Sequence, residues 1–206
     1  MTREQQRKLR ELKNALPKIM QSEIKKYKLK KKDYMVWVQK KDLFFDMMIY
    51  ICERDGHCYC ASTERLKPMW LDDLLWDLLE MPENKNEPVS LRAIGAFAVY
   101  GSEIYSTKEE LLNWELEELR QCVVRYIEHF YQNTQSCEIG AFYDCMCISP
   151  YQQELRRGLS FIHNGEYEKA IEYLSTCDKG NLCNKGIWVN EAMTDYCKKR
   201  LFSTEA

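Results

Sequence analysis

A chain of 206 residues with 45% apolar side chains can bury a substantial core, which argues against a chain that stays disordered. Formal charge is only −2, yet residues 1–41 carry 14 Lys or Arg against 4 acids, leaving 16 against 28 for the remainder. Such asymmetry suits either an arm for nucleic acid or, preferred here, two parts that attract one another.

No apolar run approaches the ~20 residues that a membrane helix needs, and the N-terminus reads as a polar helix rather than a signal peptide. The expected compartment is the cytoplasm. Of the ten cysteines, several sit in apolar strand or helix patterns, so they read as reduced core thiols rather than a disulfide framework.

Thr2 followed by Gln5 resembles a capping box, and Leu9, Leu12, Leu16, Ile19 and Ile24 share a face, predicting a helix over 3–26. Pro17 predicts a kink or a fresh start there. Lys25 to Lys32, six lysines in eight residues, reads as a solvated helix end whose charge suits the macrodipole.

Three strands are expected between Asp33 and Ser62. Leu43 to Cys52 is apolar on both faces, as in a covered central strand, with Asp46 the exception. Asp55-Gly56 is a two-residue hairpin signal, because both central positions want positive φ. Leu71, Leu74, Leu75, Leu78 and Leu79 predict a short helix on the sheet, between Pro68 and Pro82.

Leu91 to Tyr100 reads as a fourth strand, with helix as the rival. Thr107 and Glu110 form a second capping box, opening a helix to about Gln132 with Leu112, Leu116, Leu119, Val123, Tyr126, Ile127 and Phe130 inward and its glutamates outward. The segment from Cys137 to Ile148 is ambiguous between strand and helix. Gln153 to Cys177 reads as two helices joined at Asn164-Gly165, and Lys185 to Lys199 as a last helix.

No phosphate-cradling loop, nucleophile elbow, zincin motif or dinucleotide fingerprint occurs, and no cofactor is expected. Cys58 and Cys60 with Cys145 and Cys147 could hold zinc if their segments met, but residues two apart in a strand point the same way, and free thiols are the preferred reading. His129 and His163 read as surface or packing residues. Asp72, Asp73, Asp77 and Glu80 read as the polar face of a leucine-rich helix. Asp46 is expected to be a buried acid with a hydrogen-bonding role.

The segment KLKKKDYMVWVQKKDLFFDMMIYI, within its order of helix, lysine-rich joint, three strands and closing helix, resembles a bacterial family of domains of unknown function. Related small α+β families include immunity proteins that protect a bacterium from a toxin. The resemblance covers about residues 5–132, with Tyr27 and Leu29 where that family carries glycine and phenylalanine. Residues 151–177 resemble a single tetratricopeptide hairpin, Gly158, Phe161, Ala170 and Leu174 standing at its packing positions and Arg157 where the motif prefers leucine.

The expected fold is α+β: an antiparallel sheet of three or four strands packed by helices over 1–132, with a helical unit over 137–206. The expected function is a non-enzymatic protein-binding module, immunity-like, acting as monomer or homodimer. Trp70, Trp76, Trp114, Glu110, Glu117 and Glu118 are the candidate contacts, with at least one tryptophan in the core instead. Lys30, Lys31 and Lys32 would serve the nucleic-acid alternative, and the Cys-x-Cys pairs a thiol or zinc alternative.

Overall fold

The computed structural model describes residues 1–144 and 150–204. In chain order it forms α1 (Arg3–Ile24), β1 (Lys30–Lys32), β2 (Met35–Lys40), β3 (Leu43–Arg54), β4 (His57–Pro68), α2 (Met69–Leu78), α3 (Leu91–Ile94) and β5 (Ser102–Glu110). Then come α4 (Leu116–Ser136), α5 (Gly140–Asp144), α6 (Pro150–His163), α7 (Tyr167–Leu174), the ribbon β6 (Cys183–Asn184) and β7 (Ile187–Trp188), and α8 (Val189–Thr204).

Contacts divide the chain into two compact units: Met1–Lys67 with Gly101–Cys145, and Pro68–Tyr100 with Met146–Ala206. The first holds an α+β core. The second is mostly helical and enters the sequence between β4 and β5.

In the first unit α1 starts where Thr2 and Gln5 cap each other, Thr2 Oγ1 accepting from the Gln5 amide at 3.2 Å and Gln5 Oε1 from the Thr2 amide at 2.8 Å. It runs as one 22-residue helix through Pro17 and buries Leu12, Leu16, Ile19, Met20 and Ile24. The lysine segment then splits: a single 3₁₀ turn, Lys28 in the left-handed region at φ 56°, and β1.

The sheet has five antiparallel strands in the order β1-β2-β3-β4-β5, not three or four. The additions are β1, hidden in the lysine run, and β5, which occupies the stretch read as the start of the long helix. That helix begins instead at Leu116, where Glu115 and Glu118 form the capping box. The expected strand over Leu91 to Tyr100 is absent from the sheet; α3 and irregular chain stand there. The Asp55-Gly56 hairpin has φ values of 54° and 83°, as the turn requires.

Helices α1 and α4 pack on each other and on β3. Phe45, Met47, Ile49 and Ile51 form one buried face of β3, each side chain contributing about 1.5–3 kcal/mol by leaving water. The other face is buried at Phe44 and Asp46 but opens at Tyr50, so coverage on both sides is confined to the first half of the strand. Gly101 brings the chain back into this unit. A Cβ there would lie 2.7 Å from the Leu66 carbonyl oxygen, so only a bare backbone can pass β4 at this point.

In the second unit α2, expected to cover the sheet, packs against α6 and α8. Its acids are not simply a solvated face. Asp72 is fully buried, accepts from the Val99 amide at 2.8 Å and pairs with Arg92 at 3.4 Å; Arg92 also donates to Asp73 at 2.5 Å and to the Met69 carbonyl at 2.7 Å. Arg92 thereby ties α3 and the following irregular chain to α2. The α6–α7 hairpin turns at Asn164-Gly165, with Gly165 at φ 74°. Gly158 admits α8, because a Cβ there would come within 3.0 Å of Met193 Sδ.

Candidate functional site

The chemistry of the first unit collects where α4 crosses β4 and the edge strand β5. Cys58, Cys60, Ser62, Glu64 and Leu66 alternate along one face of β4 and all are buried. Opposite them on β5, Glu109 pairs in register with Cys60, Thr107 with Ser62, and Tyr105 with Glu64. The sequence supplies α4 with Cys122, Tyr126, His129 and Asn133 at helical spacing along the same seam.

At one end of the seam Glu64 is fully buried. His129 Nδ1 lies 2.8 Å from Glu64 Oε1, Asn133 Nδ2 donates to Oε2 at 2.7 Å, and the Tyr105 ring lies against the imidazole with centroids 3.9 Å apart. Burial pushes the Glu64 carboxyl above its ordinary range, while the His129 and Asn133 hydrogen bonds pull it back. The His129 side chain is 41% exposed, so a buried carboxylate orients a ring that reaches the surface. At the other end Arg125 pairs with Glu109 and places Nη2 3.5 Å from the sulfur of buried Cys122.

Beyond the seam, the loop 111–115 and the start of α4 expose two leucines. Leu111 is buried, its amide donating to the Cys58 carbonyl at 2.8 Å; Leu112 is 75% exposed and Leu116, one turn into α4, is 51% exposed. Between them Trp114 holds a left-handed backbone at φ 57°, a conformation costing about 1 kcal/mol without glycine. The loop is braced from both sides. Glu118 accepts from the amides of Asn113 and Glu115, and Lys8 donates to the Asn113 carbonyl at 3.1 Å and to Glu115 at 2.8 Å. Burial works against the Glu118 charge, but the amides of Glu115, Asn113 and Trp114 hold its carboxyl below the ordinary glutamate value. A hollow of about 280 Å³, lined by Thr2, Gln5, Lys8, Leu112 and Trp114, opens beside it.

Of the residues expected from sequence, Trp114, Glu110, Glu117 and Glu118 fall around this loop. Glu110 bonds His57 Nδ1 at 2.6 Å, and Glu117 is exposed beside Arg120. Trp76 is the core tryptophan, 1% exposed, its indole N–H donating to the Phe97 carbonyl at 2.7 Å, so it leaves the contact set. Trp70 belongs to the second unit and stacks on His163 with centroids 3.8 Å apart. Lys30 lies over the Trp37 ring, Lys31 donates to the Asp33 carbonyl and Lys32 is exposed, so the lysines are spread along an edge strand.

Asp46, 3% exposed, is the hydrogen-bonding acid expected: Arg65 Nε donates to it at 2.7 Å and Nη2 lies at 2.5 Å. Cys58 and Cys60 are both buried on one strand face, and Cys145 and Cys147 lie outside the described residues. Among the described residues no three metal-ligating groups converge, and no helix is long and apolar enough to cross a membrane.

Sequence reasoning missed Leu112 and Leu116, placing them on the buried stripe of a helix that starts six or more residues later than expected. It also missed Glu64, which lies beyond the point where the third strand was expected to end. Compared with protein-family models, curated proteins and solved structures, the chain gives no match in any of the three.

Proposed function

We propose that this chain is a non-enzymatic protein-binding module of the immunity type, occluding a partner protein through loop 111–115 and the start of α4. The observation that carries the reading is the braced loop. Leu112 and Leu116 are exposed on a backbone fixed by Glu118 and Lys8, so little conformational entropy remains to be lost on docking. Burying two such leucines supplies the apolar centre, and Trp114 supplies an aromatic anchor. Glu109, Glu110, Glu115, Glu117 and Glu118 frame them, so the fitting partner is a protein with an apolar protrusion and a basic rim.

The test is co-purification from the cells that make the protein, comparing the natural chain with Leu112→Ser/Leu116→Ser. A basic partner retained by the former and lost by the folded double variant is expected. Equal retention by both moves the site elsewhere, and capture of nothing by either removes the reading.

A further inference from the structure

We infer that the open edge of β5, over residues 105–110, is a dimer surface on which a second copy of this chain lays the same strand antiparallel, about a two-fold axis at Thr107. The Leu111 amide donates to the Cys58 carbonyl at 2.8 Å, so these two form a hydrogen-bonded pair of the β4–β5 ladder. Such pairs alternate along an antiparallel ladder, which makes Glu109 with Cys60, Thr107 with Ser62 and Tyr105 with Glu64 the next ones. The residues between them, Ser106, Lys108 and Glu110, turn their backbone N–H and C=O groups away from β4. Strand β5 ends the sheet, all three residues are exposed, and among the described residues nothing bonds those outward groups. Such a row is a template for another strand.

The two edges of this sheet are finished differently. At the far edge β1 is three residues long and made only of lysines, the short, charged form that discourages pairing. Strand β5 is nine residues long and free of proline. A bulge at Ile104, where the register passes from Glu64–Tyr105 to Arg65–Glu103, interrupts its first half and leaves 105–110 regular. The charges of that stretch are drawn back onto the protein. Lys108 Nζ lies 4.3 Å from the centroid of the Tyr59 ring, Glu110 is bonded to His57 and Glu109 to Arg125, so each is engaged within its own copy rather than set across the edge.

The order of side chains selects a second copy as the occupant. About an axis at Thr107, Ser106 of each copy faces Lys108 of the other, and each such pair exchanges its two outward backbone bonds. Thr107 then faces its own counterpart and Tyr105 faces Glu109, so no like charges oppose and a threonine pair lies at the centre. An axis at Lys108 would set lysine against lysine, and one at Ser106 would run Lys108 into the bulge at Ile104. The contact is isologous and closes at two copies. Pairing over so short a stretch falls below the about 1,200 Å² of a lasting complex, so the association is weak and follows concentration. It does not rest on the docking role of loop 111–115.

Sedimentation equilibrium of the full chain under reducing conditions, from about 5 to about 500 µM, should show dimer growing in with concentration. Lys108→Pro removes the outward N–H from each copy and leaves the β4 ladder intact, a placement that edge strands tolerate. It should move the association to concentrations higher by about tenfold or more. Lys108→Ala keeps the backbone donor and should dimerise within about threefold of the natural chain. In the natural chain, NMR amide exchange should slow at Ser106 and Lys108 as concentration rises, while the Thr107 amide, turned toward Ser62, stays unchanged. A chain that remains monomeric to about 500 µM, a dimer that Lys108→Pro leaves unshifted, or protection that appears along β1 instead overturns the inference, and the exchange pattern decides even if a variant fails to fold.

Discussion

The two units each bury a carboxylate against a helix, and they treat it in opposite ways. In the second unit Asp72 meets Arg92, a guanidinium charged at every accessible pH, with Asp73 and two backbone groups completing the set. In the first, Glu64 is held by hydrogen bonds from the 41% exposed His129 side chain and the neutral Asn133 amide, against the burial that raises its carboxyl. A permanent counter-charge makes a rigid tie. The other carboxylate carries the pH dependence itself.

The largest effect should come from breaking the permanent tie. Arg92→Ala removes the guanidinium that faces fully buried Asp72, and breaking a buried pair from one side costs about 3–5 kcal/mol. Urea unfolding should show that loss, and a variant within about 1 kcal/mol of the natural chain would mean that the clamp adds little to stability.

Next is Glu64→Gln, which removes an acceptor of both His129 and Asn133 and should cost about 1–3 kcal/mol. This loss carries a pH signature. Because burial raises the folded-state value of Glu64, the folded chain binds more protons than the unfolded chain above about 4.5, and the Glu64 contribution shrinks as pH rises through the folded value. The natural chain should therefore exceed the Gln variant most at acid pH, as thermal melts across pH 4 to 7 would show, and a gap that widens with pH would contradict the burial account.

Gly56→Ala, at φ 83° with open space around the added methyl, should cost only the backbone term of about 1 kcal/mol, read from the same unfolding curves.

The smallest and most direct comparison uses two histidines. In the first unit the Glu110 hydrogen bond raises His57 above 6.5, so its contribution is present at acid pH and lost as pH rises through the folded value. In the second unit burial lowers His163 below 6.5, so its contribution is present above that value and lost as pH falls. Proton NMR should resolve two titrations on opposite sides of the free imidazole value, and midpoints on the same side would remove the contrast.

What the sequence disclosed follows the range of the interactions involved. Thr2 with Gln5, and Asp55 with Gly56, are neighbours whose local hydrogen bonds and φ preferences leave one solution, and the elements they punctuate stand where expected. Thr107 and Glu110 misled because edge strand β5 alternates solvent-facing Ser106, Lys108 and Glu110 with seam residues, while the same stretch also satisfies a helix-capping spacing. The true cap is a glutamate, Glu115, a poor signal by side-chain type. Leu91 to Tyr100 could not be placed from local preference, because its own Arg92 and the Val99 amide are held by residues of α2. Glu110 and Glu117 stand exposed, as their polarity suggests, whereas Trp114 and Glu118 are half-buried. Their neighbours Leu112 and Leu116 were not legible as surface, since an exposed leucine becomes visible only once the helix start is known. The Glu64–His129 meeting depends on strand-to-helix register and carries no local mark.

The bare backbone at Gly101 bears on how the protein is made. Leu66 and Ser102 are partners in the sheet, but 35 residues are translated between them. Strand β4 therefore leaves the ribosome with its outer edge, and the acid and thiols along it, unaccompanied until β5 and α4 follow. At about 5–20 residues per second this interval lasts several seconds. For that time the nascent chain presents an open strand, so the first unit should depend on chaperone shelter during synthesis more than a continuous domain of its size.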